Sequence, residues 1–301
     1  MKRSRSHWKG RDVRSEDQQL LRDARYLRPE TVASLATQRR RASLVGHQRL
    51  LIIAADHTAR GVLNVGSHAT AMSSRYELLD RLTTALKVPG VHGVLGSPDI
   101  IDDLFILGAL HEKMVFGSMN RGGLPGAVFE MDDGFTGYTA ESIVAAGLDG
   151  GKMLLRINLE DPGTASTLVA CAHAVTALAT AGRVAMVEPF MNQRVEGRLR
   201  NVLTTEEVIR SMAIAGALGA TSAFTWLKIP VVEEMEQVAE ATTLPIVLLG
   251  GERSDRPDEM YGRWEKALKL PGVRGLVIGR NLLYPHDDDV ESAVKTAINL
   301  L

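Results

Sequence analysis

From residue 50 onward the chain alternates between short, unbroken apolar runs and longer stretches in which apolar residues recur at helical spacing. Eight runs stand out: RLLIIAAD (49–56), VHGVLG (91–96), MVFGSM (114–119), KMLLRIN (152–158), VAMVEP (184–189), SAFTWLK (222–228), PIVLLGG (245–251) and GLVIG (275–279). A strand with one wet face alternates apolar and polar residues. These runs do not, which predicts strands covered on both sides, as in a parallel sheet wrapped by helices. The intervening segments carry helix start signals, such as Ser97-Pro98-Asp99 before IIDDLFILGAL and Thr204-Thr205-Glu206-Glu207 before VIRSMAIAGALG, and the second of these runs into a glycine. Eight strands alternating with helices predict an α/β fold, the (β/α)8 TIM barrel, in preference to an open doubly wound sheet. The barrel is expected over residues 50–301 as one domain. An N-terminal helical extension, residues 1–49, precedes it, with solvated helices around 15–25 and 29–41 packed on the rim.

With 45% hydrophobic and 24% charged residues, the 301-residue chain can bury the core that one large barrel needs. Its 35 Lys and Arg nearly match its 36 Asp and Glu, and a net charge of −1 supplies no global field for nucleic acid or an anionic membrane. Any anionic ligand must be held by a local site. The single cysteine, Cys171, makes no internal disulfide or zinc cluster and fits a reducing cytoplasm. The basic N-terminus, MKRSRSHWKGRDVRSEDQQLLRD, lacks the apolar run of a signal peptide, and no window approaches the roughly 20 apolar residues of a membrane span. A soluble cytoplasmic protein without nucleic-acid or membrane partners is expected.

A barrel makes a sharp demand on chemistry, because reactive groups belong at the C-terminal ends of the strands and in the loops that follow. The first run ends in AADHTARG, placing Asp56 and His57 at the mouth, and the fourth, in GGKMLLRIN, carries Lys152 near its start and Arg156 and Asn158 towards its end. The fifth ends in MVEPF, with Glu188 ahead of a proline expected to stop the strand, and the sixth ends in WLKIP, with Lys228. An isolated lysine there would read as a stem snorkelling to water. An amine, a carboxylate and a second amine on three consecutive strands are instead expected close together, where coupled charges shift one another's pKa. A desolvated lysine beside another cation becomes nucleophilic near neutrality, and the chemistry of such an amine is Schiff-base formation with a carbonyl. Gly250 and Gly251 after the seventh run, and Gly279-Arg280-Asn281 after the eighth, predict a phosphate cradle of backbone N–H groups with Arg280 adding charge. His57 and Arg156 join these as candidates for substrate or phosphate binding.

The ordered set AADH, GGKMLLRIN, VEPF, WLKIPV, LLGG and IGRN resembles the class I aldolases of the deoxyribose-phosphate aldolase and tagatose-bisphosphate aldolase superfamily, which includes bacterial and archaeal fructose-bisphosphate aldolases. The likeness spans residues 50 to about 285. It implies that Lys228 forms the Schiff base, Glu188 transfers protons, and Asp56 and Lys152 organise the substrate, with neither metal nor separate cofactor. This chain reads DHTARG where the tagatose branch has a compact D-x-R-G, and it has Glu188 where the archaeal enzymes carry a tyrosine. It also lacks, in PIVLLGGERS, the second lysine of the deoxyribose-phosphate branch, which favours a ketose phosphate. The expected function is cleavage of a phosphorylated ketose or keto-sugar acid, releasing dihydroxyacetone phosphate or a similar keto phosphate and an aldehyde. A looser resemblance to aldolase-like proteins associated with inositol catabolism in actinobacteria implies an alternative substrate, a phosphorylated dehydro-deoxy-gluconate. Related barrels assemble, so a homo-oligomer is expected.

Two other readings stay open. A metal-dependent aldolase or isomerase would need ligands, and His57, His68, His92 and His111 show no paired spacing. A non-catalytic sugar-phosphate-binding barrel would use the same amine and carboxylate for binding alone. Beyond the strands, the glycine-rich loop NRGGLPGAVFEMDDGFTGYT (120–139) is placed to cover the mouth as a lid, and RVEGRLRN (194–201) carries arginines for a second phosphate or carboxylate. Phe224, Trp226 and Leu227 are expected in the core or helix layer, and Met114, Met119 and Met131 as packing.

Overall fold

The computed structural model describes residues 15–43, 46 and 48–301. The basic residues 1–14 of the N-terminal segment lie outside the described residues. Among the described residues nine strands form: β1 (Leu50–Ala55), β2 (Gly93–Gly96), β3 (Met114–Ser118), β4 (Gly150–Ile157), β5 (Val184–Val195), β6 (Arg198–Asn201), β7 (Thr225–Ile229), β8 (Ile246–Leu249) and β9 (Val273–Ile278). All but β6 are parallel, in the order β4-β3-β2-β1-β9-β8-β7-β5, and β4 also pairs with β5, so the sheet closes into the (β/α)8 barrel that the apolar runs predict. Closure leaves no open edge along the parallel strands.

Strand periodicity explains why the runs show no alternation. In β1, Leu51, Ile53 and Ala55 join the outer core beneath the helices, while Leu50, Ile52 and Ala54 join a second, inner core with Leu95, Phe116, Met186 and Val247. Both faces of one strand are therefore dry. The inner core plugs the barrel below the mouth, where the Phe116 and Trp226 rings lie 5.8 Å apart.

Four expectations are corrected. Pro189 does not end its strand: β5 continues to Val195 and folds back on β6, because Glu196 (φ 50) and Gly197 (φ 76) both take the left-handed conformation that a tight two-residue hairpin turn requires. RVEGRLRN is thus a β-hairpin arm. Phe224 precedes β7 and is 39% exposed, outside the core. The helix Gly163–Thr180 is, among the described residues, long and apolar enough to cross a membrane, with a mean hydropathy of 1.2 over 18 residues, against the expectation that no window comes near. Its buried face, including Cys171, Val175 and Leu178, belongs to the outer core of the barrel. The second N-terminal helix, Thr31–Gln38, stops short of residue 41 because Arg39 turns extended (φ −60, ψ 129).

The first N-terminal helix, Ser15–Leu27, buries Leu21 and Ala24, and its Arg25 donates to Asp103 Oδ1 at 2.7 Å on the helix Pro98–Ile106. Arg39 then reaches the barrel floor, where it meets Asp149, just ahead of β4, at 3.2 Å.

Candidate active site

The register between β5 and β7 sets Val187 opposite Leu227, so the next residues, Glu188 and Lys228, stand side by side at the strand ends. Lys228 Nζ donates to Glu188 Oε1 at 2.6 Å. The other carboxylate oxygen of Glu188 takes the ammonium of Lys152 from β4. Lys152 Nζ also lies 3.1 Å from Asp56 Oδ2, beyond β1, and that oxygen accepts Ser118 Oγ at 3.0 Å and Arg121 Nη1 at 3.0 Å. All six side chains are buried. The result is a chain of alternating charge that runs across the mouth from Arg121 to Lys228.

Burial lowers the pKa of Lys228, and Lys152 pushes in the same direction, while Glu188 and Asp56 work against them. Burial also acts to raise Glu188, but the two lysines overrule it and bring the carboxyl down to about 2. For Asp56 burial is likewise opposed, by Lys152 and Arg121, which hold it well below the usual carboxylate range. Burial drives His57 down to about 3, so its imidazole is neutral at pH 7. The arrangement thus sets an amine held below the usual lysine range beside a carboxylate that stays ionised, a pair of the kind used for nucleophilic attack and proton abstraction.

These groups open into a cavity of about 960 Å³, lined on its far side by Gly250, Gly251, Gly279 and Arg280. Asn281 braces that wall, donating to Gly250 O at 2.8 Å and accepting Ser254 N–H at 2.9 Å, and Arg280 donates to Gly251 O at 3.3 Å. Gly279 is confined: a Cβ there would meet Ala54 O at 2.5 Å and His57 Cε1 at 2.7 Å. His57 therefore packs under the cradle as a neutral ring. His68 and His111 are exposed, and His92 Nδ1 accepts the Leu51 N–H at 3.0 Å. Among the described residues no group of three or more His, Cys, Asp or Glu side chains is placed to hold a metal ion.

Two expectations about the rim change. Arg156 lines the cavity, yet its guanidinium is committed elsewhere, to Glu130 Oε1 at 2.7 Å and Gly123 O at 3.0 Å, so it holds the 120–139 loop rather than standing free for a phosphate. Arg60, in the turn after β1, holds the same loop by pairing with its Asp133 at 2.5 Å and donating to its Gly123 O at 2.8 Å. These buried charge pairs anchor the base of the loop at the rim of the mouth. On the hairpin, Arg194 pairs with Asp161 at 2.7 Å, whereas Arg200 lines the cavity. Arg121 and Ser118 join the site without being among the sequence candidates. Ser118 closes β3 and Arg121 lies three residues beyond it, a strand-end position that the same filter, applied to the third run, would have retained.

A family model described as Cgl0159-like matches residues 48–298. Among solved structures, the chain is similar to Cgl0159 from Corynebacterium glutamicum, with 56% identity and a TM-score of 0.93 over 95% of this chain and 97% of that one. A Schiff-base-forming fructose-1,6-bisphosphate aldolase shares 16% identity and a TM-score of 0.62 over 89% and 99% of the two chains. An archaeal fructose 1,6-bisphosphate aldolase shares 14% identity and a TM-score of 0.61 over 89% and 98%. These two likenesses are of the barrel fold alone. No curated protein matches the sequence.

Proposed function

The chain belongs to the Cgl0159-like family, and we propose that it is a class I aldolase, a lyase that cleaves a phosphorylated ketose or keto-sugar acid through a Schiff base on Lys228. One observation carries the reading: a buried lysine amine sits 2.6 Å from an ionised glutamate at the mouth of the barrel, with a second lysine on the other oxygen of that glutamate.

In this scheme the neutral amine of Lys228 attacks the ketone carbon, and the carbinolamine loses water to give a protonated imine. Glu188 takes the proton of the C4 hydroxyl. The C3–C4 electron pair moves into the iminium, the aldehyde departs, and an enamine stays on the lysine. Glu188, now protonated, returns its proton to C3, and water hydrolyses the imine to release the keto phosphate. The iminium is the electron sink, so the scheme calls for no metal or separate cofactor. Lys152 keeps Glu188 ionised and oriented, Asp56 holds Lys152, and Gly250, Gly251, Gly279 and Arg280 receive the substrate phosphate. A cytoplasmic homo-oligomer acting on a small sugar phosphate remains the expected setting.

A panel of phosphorylated ketoses and keto-sugar acids, assayed for release of dihydroxyacetone phosphate, tests the reading. Release from at least one substrate is expected, undiminished by EDTA and lost in Lys228→Met. Binding that persists in Lys228→Met, with no turnover by the parent on any substrate, would overturn it in favour of a sugar-phosphate-binding barrel.

A further inference from the structure

We infer that Arg121 is a positioning residue for the lysine chemistry: by neutralising Asp56 it leaves the chain Arg121–Asp56–Lys152–Glu188 without net charge, so that Lys228 can surrender its proton without turning the site negative. The inference rests on Lys228 being the nucleophile. Arg121 is 7% exposed and grips Asp56 twice, Nη1 on the carboxylate at 3.0 Å and Nη2 on the backbone carbonyl. Asp56 Oδ2 therefore gathers three donors, Arg121, Ser118 and Lys152. Lys152 in turn spans from Asp56 to Glu188, whose remaining oxygen meets Lys228.

The charges that face Lys228 can be counted element by element. Glu188 comes from β5, Lys152 from β4 and Asp56 from the end of β1. His57, next to Asp56, is neutral at pH 7. Beyond β8 and β9 stand Glu252 and Arg280; Arg200 and Arg263 also line the cavity, as do Arg156, paired with Glu130, and Arg256, paired with Glu259. Arg60, a further cation near Arg121, is matched by Asp133. With Arg121 in place, the four-group chain carries two positive and two negative charges. An arginine suits this post because its guanidinium does not titrate, whereas a buried ammonium would share the proton loss asked of Lys228.

Changing the chain shifts the balance in opposite directions. Arg121→Met leaves one positive and two negative charges, Asp56→Asn leaves two positive and one negative, and the double variant restores neutrality. Trace acetylation of the full chain with acetic anhydride over a pH series, read by peptide mass spectrometry against exposed Lys87, reports the midpoint at which the Lys228 amine becomes reactive. Arg121→Met is expected to raise that midpoint by about one pH unit, making the amine about tenfold less reactive below it. Asp56→Asn should lower it, and the double variant should return it to the parent value. If Arg121→Met does not fold, Asp56→Asn and the double variant carry the test. Midpoints that do not move, or that move the same way in both single variants, would overturn the inference. Borohydride trapping of a keto phosphate by the parent separates the two levels: failure to trap, with the midpoint shifts present, removes the aldolase reading and leaves the charge balance standing.

Discussion

Both ends of the barrel bury charge, and they do it with different cations. At the floor, Asp149 takes Arg39 on Oδ2 at 3.2 Å and Arg41 on Oδ1 at 2.8 Å, and it accepts the Val115 N–H at 2.8 Å. Arg39 also donates to Gly147 O at 2.8 Å, so one carboxylate clasps the N-terminal segment to β3 and β4. At the mouth, two lysines and Arg121 share Asp56 and Glu188 beside a cavity of about 960 Å³. A guanidinium keeps its charge and fits fixed acceptors with its fork, while a desolvated ammonium can give up its proton. The floor is a clasp of guanidinium charges, and on the proposed reading the mouth is a chain in which Lys228 gives up its proton. Burial alone does not distinguish a structural ion pair from a reactive one; the kind of cation and its access to a cavity do.

Substitutions at the two ends should separate these roles. The largest effect is expected for Lys228→Met, a fall in turnover of about 10⁴-fold or more with the thermal transition little changed, measured by product release and calorimetry. Glu188→Gln should lower kcat by about 10²–10³-fold. In the parent, kcat/KM should rise with pH as Lys228 loses its proton. With Glu188 brought down to about 2, that carboxylate is ionised throughout the working range, so the acid limb belongs to the amine. Asp149→Asn, at the other end, should cost about 3 kcal/mol of stability in a denaturant titration while turnover per folded molecule stays the same. Gly279→Ala should raise KM about tenfold and also lower stability, because the added methyl would meet the Ala54 carbonyl oxygen at 2.5 Å and His57 Cε1 at 2.7 Å and so displaces the cradle. Equal stability losses at both ends, with equal activity losses, would erase the contrast.

Much of this was legible in the sequence, for physical reasons that also mark where reading stops. A strand buried on both faces writes itself as an unbroken apolar run, and barrel closure then fixes which residues face one another; Asp56, Lys152, Glu188 and Lys228 meet because all four belong to strands or strand ends. Arg156 also belongs to a strand, but its long side chain reaches a loop, and which loop carbonyls it meets depends on how residues 120–139 fold. Arg121 sits in that loop, where no periodicity fixes direction. Pro189 looked like a stop because proline lacks an N–H donor, yet the strand continues, carried by a hairpin whose Glu196-Gly197 turn is a weaker signal than Asn-Gly.

The most direct test of lysine chemistry at the mouth is chemical trapping. The folded protein, incubated with dihydroxyacetone phosphate and reduced with borohydride, is digested and its peptides are weighed. A mass increment confined to the peptide that carries Lys228, and absent from the one that carries Lys152, is the expected result. An increment on Lys152 instead, or none on either lysine, would contradict it.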